Sequence, residues 1–260
     1  MAPGDVARLQ STHTRILVFE DGPYRCLAFG RRAAVQSCVH RSNRLDFRYE
    51  YVRLMFAVLG LVDRPARVLV LGLGGAALPS LIQRFFPDTR IDAVEIDAGV
   101  VRVARKYLYY RPSARTRIHV QDAAQFVASR AGRERYDLIF VDCYDDQHIP
   151  KHLLADKFVR SVRRILAPTG VVAANFWSGH PSFARSKEQY RKHYPEVWLL
   201  PGKRSGNHIV IGSSKPLGGS RLQLLEKAKA LEKRLRPPFL LSAELQRLVR
   251  LGSVDPARGR

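Results

Sequence analysis

The chain has 260 residues, 46% hydrophobic and 26% charged, which is enough apolar material for a sizeable buried core and excludes a disordered chain. Lysine and arginine number 44 against 23 aspartates and glutamates, a formal net charge of +21, which attracts polyanions and repels polycations at long range. No apolar run is long enough to span a bilayer, and the N-terminus MAPGDVARLQST has no apolar leader segment, so no membrane association is expected.

In chain order, residues 15–39 read as a small β-meander. Arg15–Glu20, Tyr24–Phe29 and Ala33–Val39 are the strands; Asp21-Gly22-Pro23 and Gly30-Arg31-Arg32 are the turns. Residues 47–61 carry apolar side chains at helical spacing (Phe47, Tyr51, Leu54, Met55, Val58, Leu59). From Arg67 onward, strands alternate with helices. The expected strands are Val68–Leu71, Arg90–Ile96, Arg117–Val120, Tyr136–Val141 and Val171–Phe176, followed by Glu196–Leu200 and Asn207–Gly212. The expected helices are Ala76–Phe86, Ala98–Tyr109, Ala123–Ala131, Leu153–Leu166 (stopped by Pro168 and Gly170) and Pro181–His193. Such alternation makes a mostly parallel sheet covered on both faces.

The fold class is therefore α/β: an N-terminal β-meander over residues 1–50, then a Rossmann-like, methyltransferase-type sheet with helices on both faces over 51–215. A basic helical tail over 216–260 completes the chain. Its first helix carries Leu222, Leu225, Ala228, Leu231 and Leu235 on one face, and Ser242 is placed to cap the second. The tail is the one segment where basic charge is dense, with 11 basic and 4 acidic side chains over 215–260. Elsewhere the excess is diffuse, which serves solubility more than a site, so nucleic acid is retained as a partner but not favoured. Cys26, Cys38 and Cys143 are too few and too scattered for a disulfide scaffold or a metal knuckle. No metal and a reducing, cytoplasmic location are expected.

Four features carry chemistry. Gly72-Leu73-Gly74-Gly75 lies between the first strand of the sheet and the following helix, where glycine lets the backbone approach a ligand. Glu95 ends the second strand, where an acid can accept hydrogen bonds from ribose hydroxyls. Asp122 ends the third strand; it can meet an adenine amino group beside Ala123, cap the next helix, or do both. Asp142-Cys143-Tyr144-Asp145-Asp146 follows the fourth strand, and three carboxylates in five residues suit the holding and deprotonation of an amine. His148 and His152 stand four positions apart, a spacing metals use, but with no third ligand they read as loop and helix-start residues. Gln36, Tyr49 and Tyr51 are candidates to roof the site, with core packing an equal reading for the tyrosines.

These motifs together resemble the spermidine synthase (polyamine aminopropyltransferase) family over roughly residues 15–215. LVFEDGPYR, VLVLGLGGAALP, VEIDAGVVRVARKY and YDLIFVDCYDDQHIPKHL are similar to a divergent branch often fused to transporter segments. The resemblance implies a donor, decarboxylated S-adenosylmethionine, an amine acceptor such as putrescine, and a homo-oligomer. Asp142-x-x-Asp145 matches the family's D-x-x-D, in which the first Asp helps deprotonate the amine and the second holds it. By the same resemblance, Glu95 is the ribose ligand and Asp122 the adenine contact. Gln36, Gly72, Gly74, Gly75 and Ala123 line the donor; Tyr49, Tyr144, Asp145 and Asp146 line the acceptor. The chain departs from the family at Gly75, where an Asp usually grips the donor amine, at Tyr51, where a glutamate is usual, and at Asp146, where a proline is usual. A glycine at 75 removes the repulsion that would exclude a donor carboxylate, so intact S-adenosylmethionine is an alternative donor, with methyl transfer as the alternative activity. A non-catalytic nucleoside or nucleic-acid binder is the third.

Overall fold

The computed structural model describes residues 4–62, 64–145, 148–204 and 206–252. Strands β1 (Asp5–Gln10), β2 (Arg15–Asp21), β3 (Tyr24–Phe29) and β4 (Val35–His40) form an antiparallel sheet in chain order. β1 is a strand that the sequence reading did not expect. Its residues Val6, Ala7 and Leu9 are only partly buried against Ile16, Val18 and Leu27, so the pairing with β2 supplies what a weak apolar pattern does not. Cys26 and Cys38 stand directly opposite in the β3–β4 ladder and form a disulfide, with Cα atoms 4.1 Å apart. The reading of the cysteines as too scattered for disulfides is thereby corrected for this pair: strand register joins residues that look scattered along the chain.

The predicted helix over 47–61 is α1 (Glu50–Ala57) followed by a 3₁₀ turn over Val58–Leu61. The large domain then runs β5 (Arg67–Leu71), α2 (Ala77–Phe85), β6 (Arg90–Glu95), α3 (Ala98–Lys106), β7 (Thr116–Val120), α4 (Ala123–Arg130) and β8 (Tyr136–Val141). It continues through α5 (Asp156–Arg164), β9 (Leu166–Trp177), α6 (Phe183–His193), β10 (Glu196–Pro201) and β11 (Asn207–Ser213). The last elements are α7 (Arg221–Leu235), α8 (Leu241–Leu245) and β12 (Val249–Arg250). Their eight strands lie in the order β12-β10-β11-β9-β8-β5-β6-β7. The stretch β9-β8-β5-β6-β7 is parallel; β11, β10 and β12 are antiparallel additions.

Alternate side chains of each central strand feed opposite layers. Val68 and Val70 of β5 face α1, α2, α7 and α8, while Leu69 and Leu71 face α4, α5 and α6. Burial on both sides is why these strands read as continuous apolar runs. From β5 the chain winds outward through β6 and β7, then returns to place β8 and β9 on the other side. That reversal opens a crevice at the carboxyl ends of β5 and β8, where sheets of this kind bind ligands.

Three local expectations need correction. The helix expected over Leu153–Leu166 is a 3₁₀ turn at Lys151–Leu154 followed by α5, and β9 begins at Leu166; Pro168 is accommodated inside β9 where the β8–β9 register shifts. In α7 the buried face is Leu224, Ala228 and Leu231, whereas Leu222 is 67% exposed. Ser242 lies within α8, whose cap is Leu240, and its amide and hydroxyl bond the Glu232 carboxylate instead.

Candidate functional site

A cavity of about 880 Å³ lies over the carboxyl ends of β5, β6 and β8, with β4 and the start of α1 as its roof. It collects Gln36, Gly72, Gly74, Gly75, Glu95, Asp122, Ala123, Asp142, Tyr144, Asp145 and both roof tyrosines, Tyr49 and Tyr51. Asp146 lies outside the described residues.

One end is made largely of backbone. Gly72 has φ +91°, and a Cβ there would overlap the Asp142 carbonyl, so the loop after β5 presses against the exit of β8. Only glycine fits that combination of conformation and contact. The Glu95 carboxylate accepts from the Leu73 amide at 3.1 Å and the Asp97 amide at 3.1 Å. Burial pushes its pKa up, and the amides of Asp97, Leu73 and Gly74 pull against that. It is thus a fixed acceptor at the loop's edge, as a ribose diol requires. Asp97 caps α3, and its carboxylate also accepts from the Ser11 hydroxyl, which ties the β1–β2 turn to this end.

Asp122 performs the capping role, with Oδ1 accepting from the Gln125 amide at 2.9 Å, and lines the cavity as well. Its other oxygen meets His152 Nε2 at 2.8 Å. Burial pushes its carboxyl up, but the Gln125 amide and His152 outweigh this and hold it below the usual range. His152, one of the pair read from the sequence as loop and helix-start residues, is therefore a wall of the cavity. His148 is parted from it and packs its ring edge-on to His180, with 4.7 Å between ring centroids. Among the described residues no three metal-ligating side chains cluster.

The other end is made of side chains from distant segments. Asp142 Oδ1 accepts from Asn175 Nδ2 at 2.9 Å, and Asn175 Oδ1 accepts from Asn207 Nδ2 at 3.0 Å. Tyr144 donates its hydroxyl to the Asn175 carbonyl at 3.1 Å. Burial pushes Asp142 up to about 6, with the Asn175 hydrogen bond acting in the opposite sense. Above that pH it is a carboxylate with an unusual appetite for a proton. Burial, then the nearby Asp142 charge, push the Tyr51 phenol well up, so it stays a neutral donor. Burial does the same to the Cys143 thiol, which is therefore no nucleophile. Asp145 lies at the exposed rim, its Oδ1 accepting from the His148 amide at 2.6 Å. Glu50 is committed elsewhere: its buried carboxylate holds the amides of Lys203 and Arg204 and the Arg247 guanidinium.

Ser37, Asn175, Asn207 and His152 are among the lining residues that sequence reasoning did not assign to the site. Asn175 had one signal, its place near the end of a predicted strand beside the acidic strand end. His152 stood out only by its spacing to His148, and Ser37 and Asn207 had no signal.

A glycine loop, a strand-end acid and a half-buried carboxylate thus face one space at the edge of a Rossmann-like sheet. The spermine/spermidine synthase domain matches residues 50–199. A polyamine aminopropyltransferase from Vibrio vulnificus is 33% identical over 236 residues, covering 88% of this chain and 78% of that protein. The crystal structure of human methyltransferase-like protein 13 in complex with SAH aligns with a TM-score of 0.68 at 29% identity, over 74% of this chain and 94% of that one. A spermidine synthase in complex with the transition state analogue AdoDATO shares the fold, with a TM-score of 0.72 at 20% identity over 94% of this chain and 84% of that one. The chain belongs to the spermine/spermidine synthase family and is a transferase.

Proposed function

We propose that the protein moves an aminopropyl group from decarboxylated S-adenosylmethionine to a small amine such as putrescine, with Asp142 as the base. The observation that carries this reading is the Asp142 carboxylate, half-buried at the β8 exit, lining the cavity with the glycine loop and accepting from Asn175. In the proposal, adenine lies beside Asp122 and Ala123 and ribose on Glu95. The donor chain runs under Gln36 along Gly72, Gly74 and Gly75. The acceptor sits among Tyr49, Tyr144 and Asp145. An ammonium has no lone pair, so it must first lose a proton to Asp142. The free amine then attacks the methylene next to the sulfonium. The carbon–sulfur bond breaks, and methylthioadenosine leaves neutral, with no acid needed and no metal in the scheme.

The test is Asp142→Asn, expected to abolish methylthioadenosine release while nucleoside binding persists. Full activity in that variant removes Asp142 from the mechanism. A second reading, methyl transfer from intact S-adenosylmethionine, is favoured by the likeness to the SAH complex of methyltransferase-like protein 13; it yields S-adenosylhomocysteine instead. Among the described residues no helix is long and apolar enough to cross a membrane. The proposal places the enzyme in the cytoplasm, where Cys26 and Cys38 would be held as thiols and pair on oxidation; thiol titration of protein from freshly lysed cells tests that.

A further inference from the structure

The C-terminal tail reaches the roof of the cavity through one buried ion pair. Glu50 opens α1 between Tyr49 and Tyr51, which both line the cavity and stack with ring centroids 6.2 Å apart. The Glu50 side chain is buried, and both its oxygens are engaged. Oε2 accepts from the Lys203 and Arg204 amides at 2.9 Å each, in the connection between β10 and β11. Oε1 accepts from Arg247 Nη1 at 2.8 Å. Arg247 lies between α8 and β12, and the same Nη1 donates to the Pro201 carbonyl at the end of β10, at 2.9 Å. Its Nη2 bonds the Glu244 carboxylate, which also accepts from Arg53 Nε at 3.1 Å; Arg53 lines the cavity a turn of α1 beyond Glu50. Burial pushes the Glu50 carboxyl up, but the Arg204 and Lys203 amides and the Arg247 guanidinium outweigh this and hold it below the usual range.

Apolar contacts seat the tail on α1. Leu241 and Leu245 of α8 share an apolar cluster with Val52 and Phe56. A Cβ on Gly60 would lie 3.0 Å from Ala228 Cβ and 3.2 Å from Leu245 Cδ1, so α7 and α8 press directly on the turn after α1. Apolar contact has no direction. The charge-assisted bonds of Arg247 supply it, because they fix one angle between the tail, the start of α1 and the β10–β11 connection. The two segments joined in this way lead into the proposed acceptor end. Tyr51 is near enough to Asp142 for that charge to act on its phenol, and Asn207, at the start of β11, donates to Asn175, which donates to Asp142. The proposed donor end is fastened by other bonds, those of Glu95 to Leu73 and Asp97 and of Asp122 to Gln125 and His152.

We infer that Arg247 is a positioning residue for the acceptor: through Glu50 it holds the Tyr49–Tyr51 roof against the connection that leads into Asn207, so the tail sets the width of the acceptor end. The inference rests on the proposed placing of the acceptor among Tyr49, Tyr144 and Asp145. Glu50 is a brace in this arrangement and not a ligand, since three donors already share its oxygens.

The test follows methylthioadenosine release by the full chain from decarboxylated S-adenosylmethionine, with putrescine and with diamines one methylene shorter and one longer. Arg247→Met is expected to raise the acceptor KM about tenfold and to leave the donor KM within about twofold. It is also expected to weaken the discrimination among the three diamines by about threefold. Arg247→Lys keeps the charge without the forked contacts and should recover part of the loss. A lower melting temperature with both KM values and the discrimination unmoved makes Arg247 a structural residue and overturns the inference. A fall in acceptor KM overturns it too, because the released Glu50 carboxylate then binds the amine itself. Arg247→Met leaves an unpaired buried carboxylate; should it fail to fold, Glu50→Gln combined with Arg247→Met removes both charges. The same rise in acceptor KM is expected there, and parent values in that folded variant overturn the inference. An active parent with an unmoved acceptor KM in the variants overturns the inference alone. A parent that releases no methylthioadenosine overturns the proposed function and the inference with it.

Discussion

At the proposed donor end of the cavity, most of the wall is main chain or a carboxylate pinned by main chain: the loop at Gly72–Gly75, the first turn of α2, and Glu95 held by the amides of Leu73 and Asp97. At the proposed acceptor end, Asp142 depends on Asn175, Asn175 on Asn207 and Tyr144 on the Asn175 carbonyl, while Tyr49 and Tyr51 come from the segment that precedes the large sheet. The first end is local, built by one β–loop–α unit and the strand beside it. The second is assembled from β8, β9, β11 and the start of α1. A backbone site tolerates side-chain change and keeps its ligand class, while an assembled site can be retuned one residue at a time, so donor chemistry is the more robust property and acceptor choice the more plastic one.

Substitutions at the two ends should therefore separate cleanly. Asp142→Asn is expected to lower kcat by about 10²–10⁴-fold with donor binding intact, measured by single-turnover release of methylthioadenosine. The same change should raise stability at high pH. The Asp142 carboxyl sits at about 6 in the fold against an ordinary value of 3.8. Its contribution is therefore favourable below the ordinary value and is lost as pH rises through about 6. Above that, the buried charge costs up to about 3 kcal/mol. Thermal melts should show Asp142→Asn more stable than the parent at pH 8 and equal to it near pH 4; no gain at pH 8 would mean that the carboxylate is not buried as described.

Glu95→Gln should raise the donor KM by about 10–100-fold and leave the acceptor KM within about twofold, because it removes the proposed charged partner of the ribose and nothing at the other end. A matching rise in acceptor KM would show that the two ends are coupled.

Asn175→Leu should lower kcat about tenfold and move the rising limb of the pH–rate profile upward from about 6. The sign follows from the hydrogen bond, which favours the ionised form of Asp142 and is lost in the variant. A lower rate with an unmoved limb would reduce Asn175 to a packing role. His152→Ala has the smallest expected effect, about a two- to threefold change in donor KM. It frees Asp122 for an adenine amino group at the cost of a wall, and its exposed setting keeps the interaction weak.

The alternation of strands and helices, the loop at Gly72–Gly75, and the acids at 95, 122 and 142 could all be read along the chain. Each is a local pattern: an apolar run, a turn that needs glycine, or an acid at the end of a strand that neighbouring residues define. β1 and β12 could not be read, because their side chains are weakly apolar and each is a strand only through the partner it pairs with. The Cys26–Cys38 bond depends on the β3–β4 register.

What the sequence by itself determined was the fold class and the sheet edge at which the glycine loop and the acids at 95, 122 and 142 gather, since these follow from periodicity and from residue type at strand ends. The tertiary structure decided which groups tune that base and which fill the space above Gly75. Asn175, Asn207 and Ser37 carry no motif; their role comes from long-range register, which places an amide on a carboxylate and a hydroxyl over a helix start. Hydrogen bonds act over about 3 Å, and separation along the chain does not reveal which groups the fold brings within that distance.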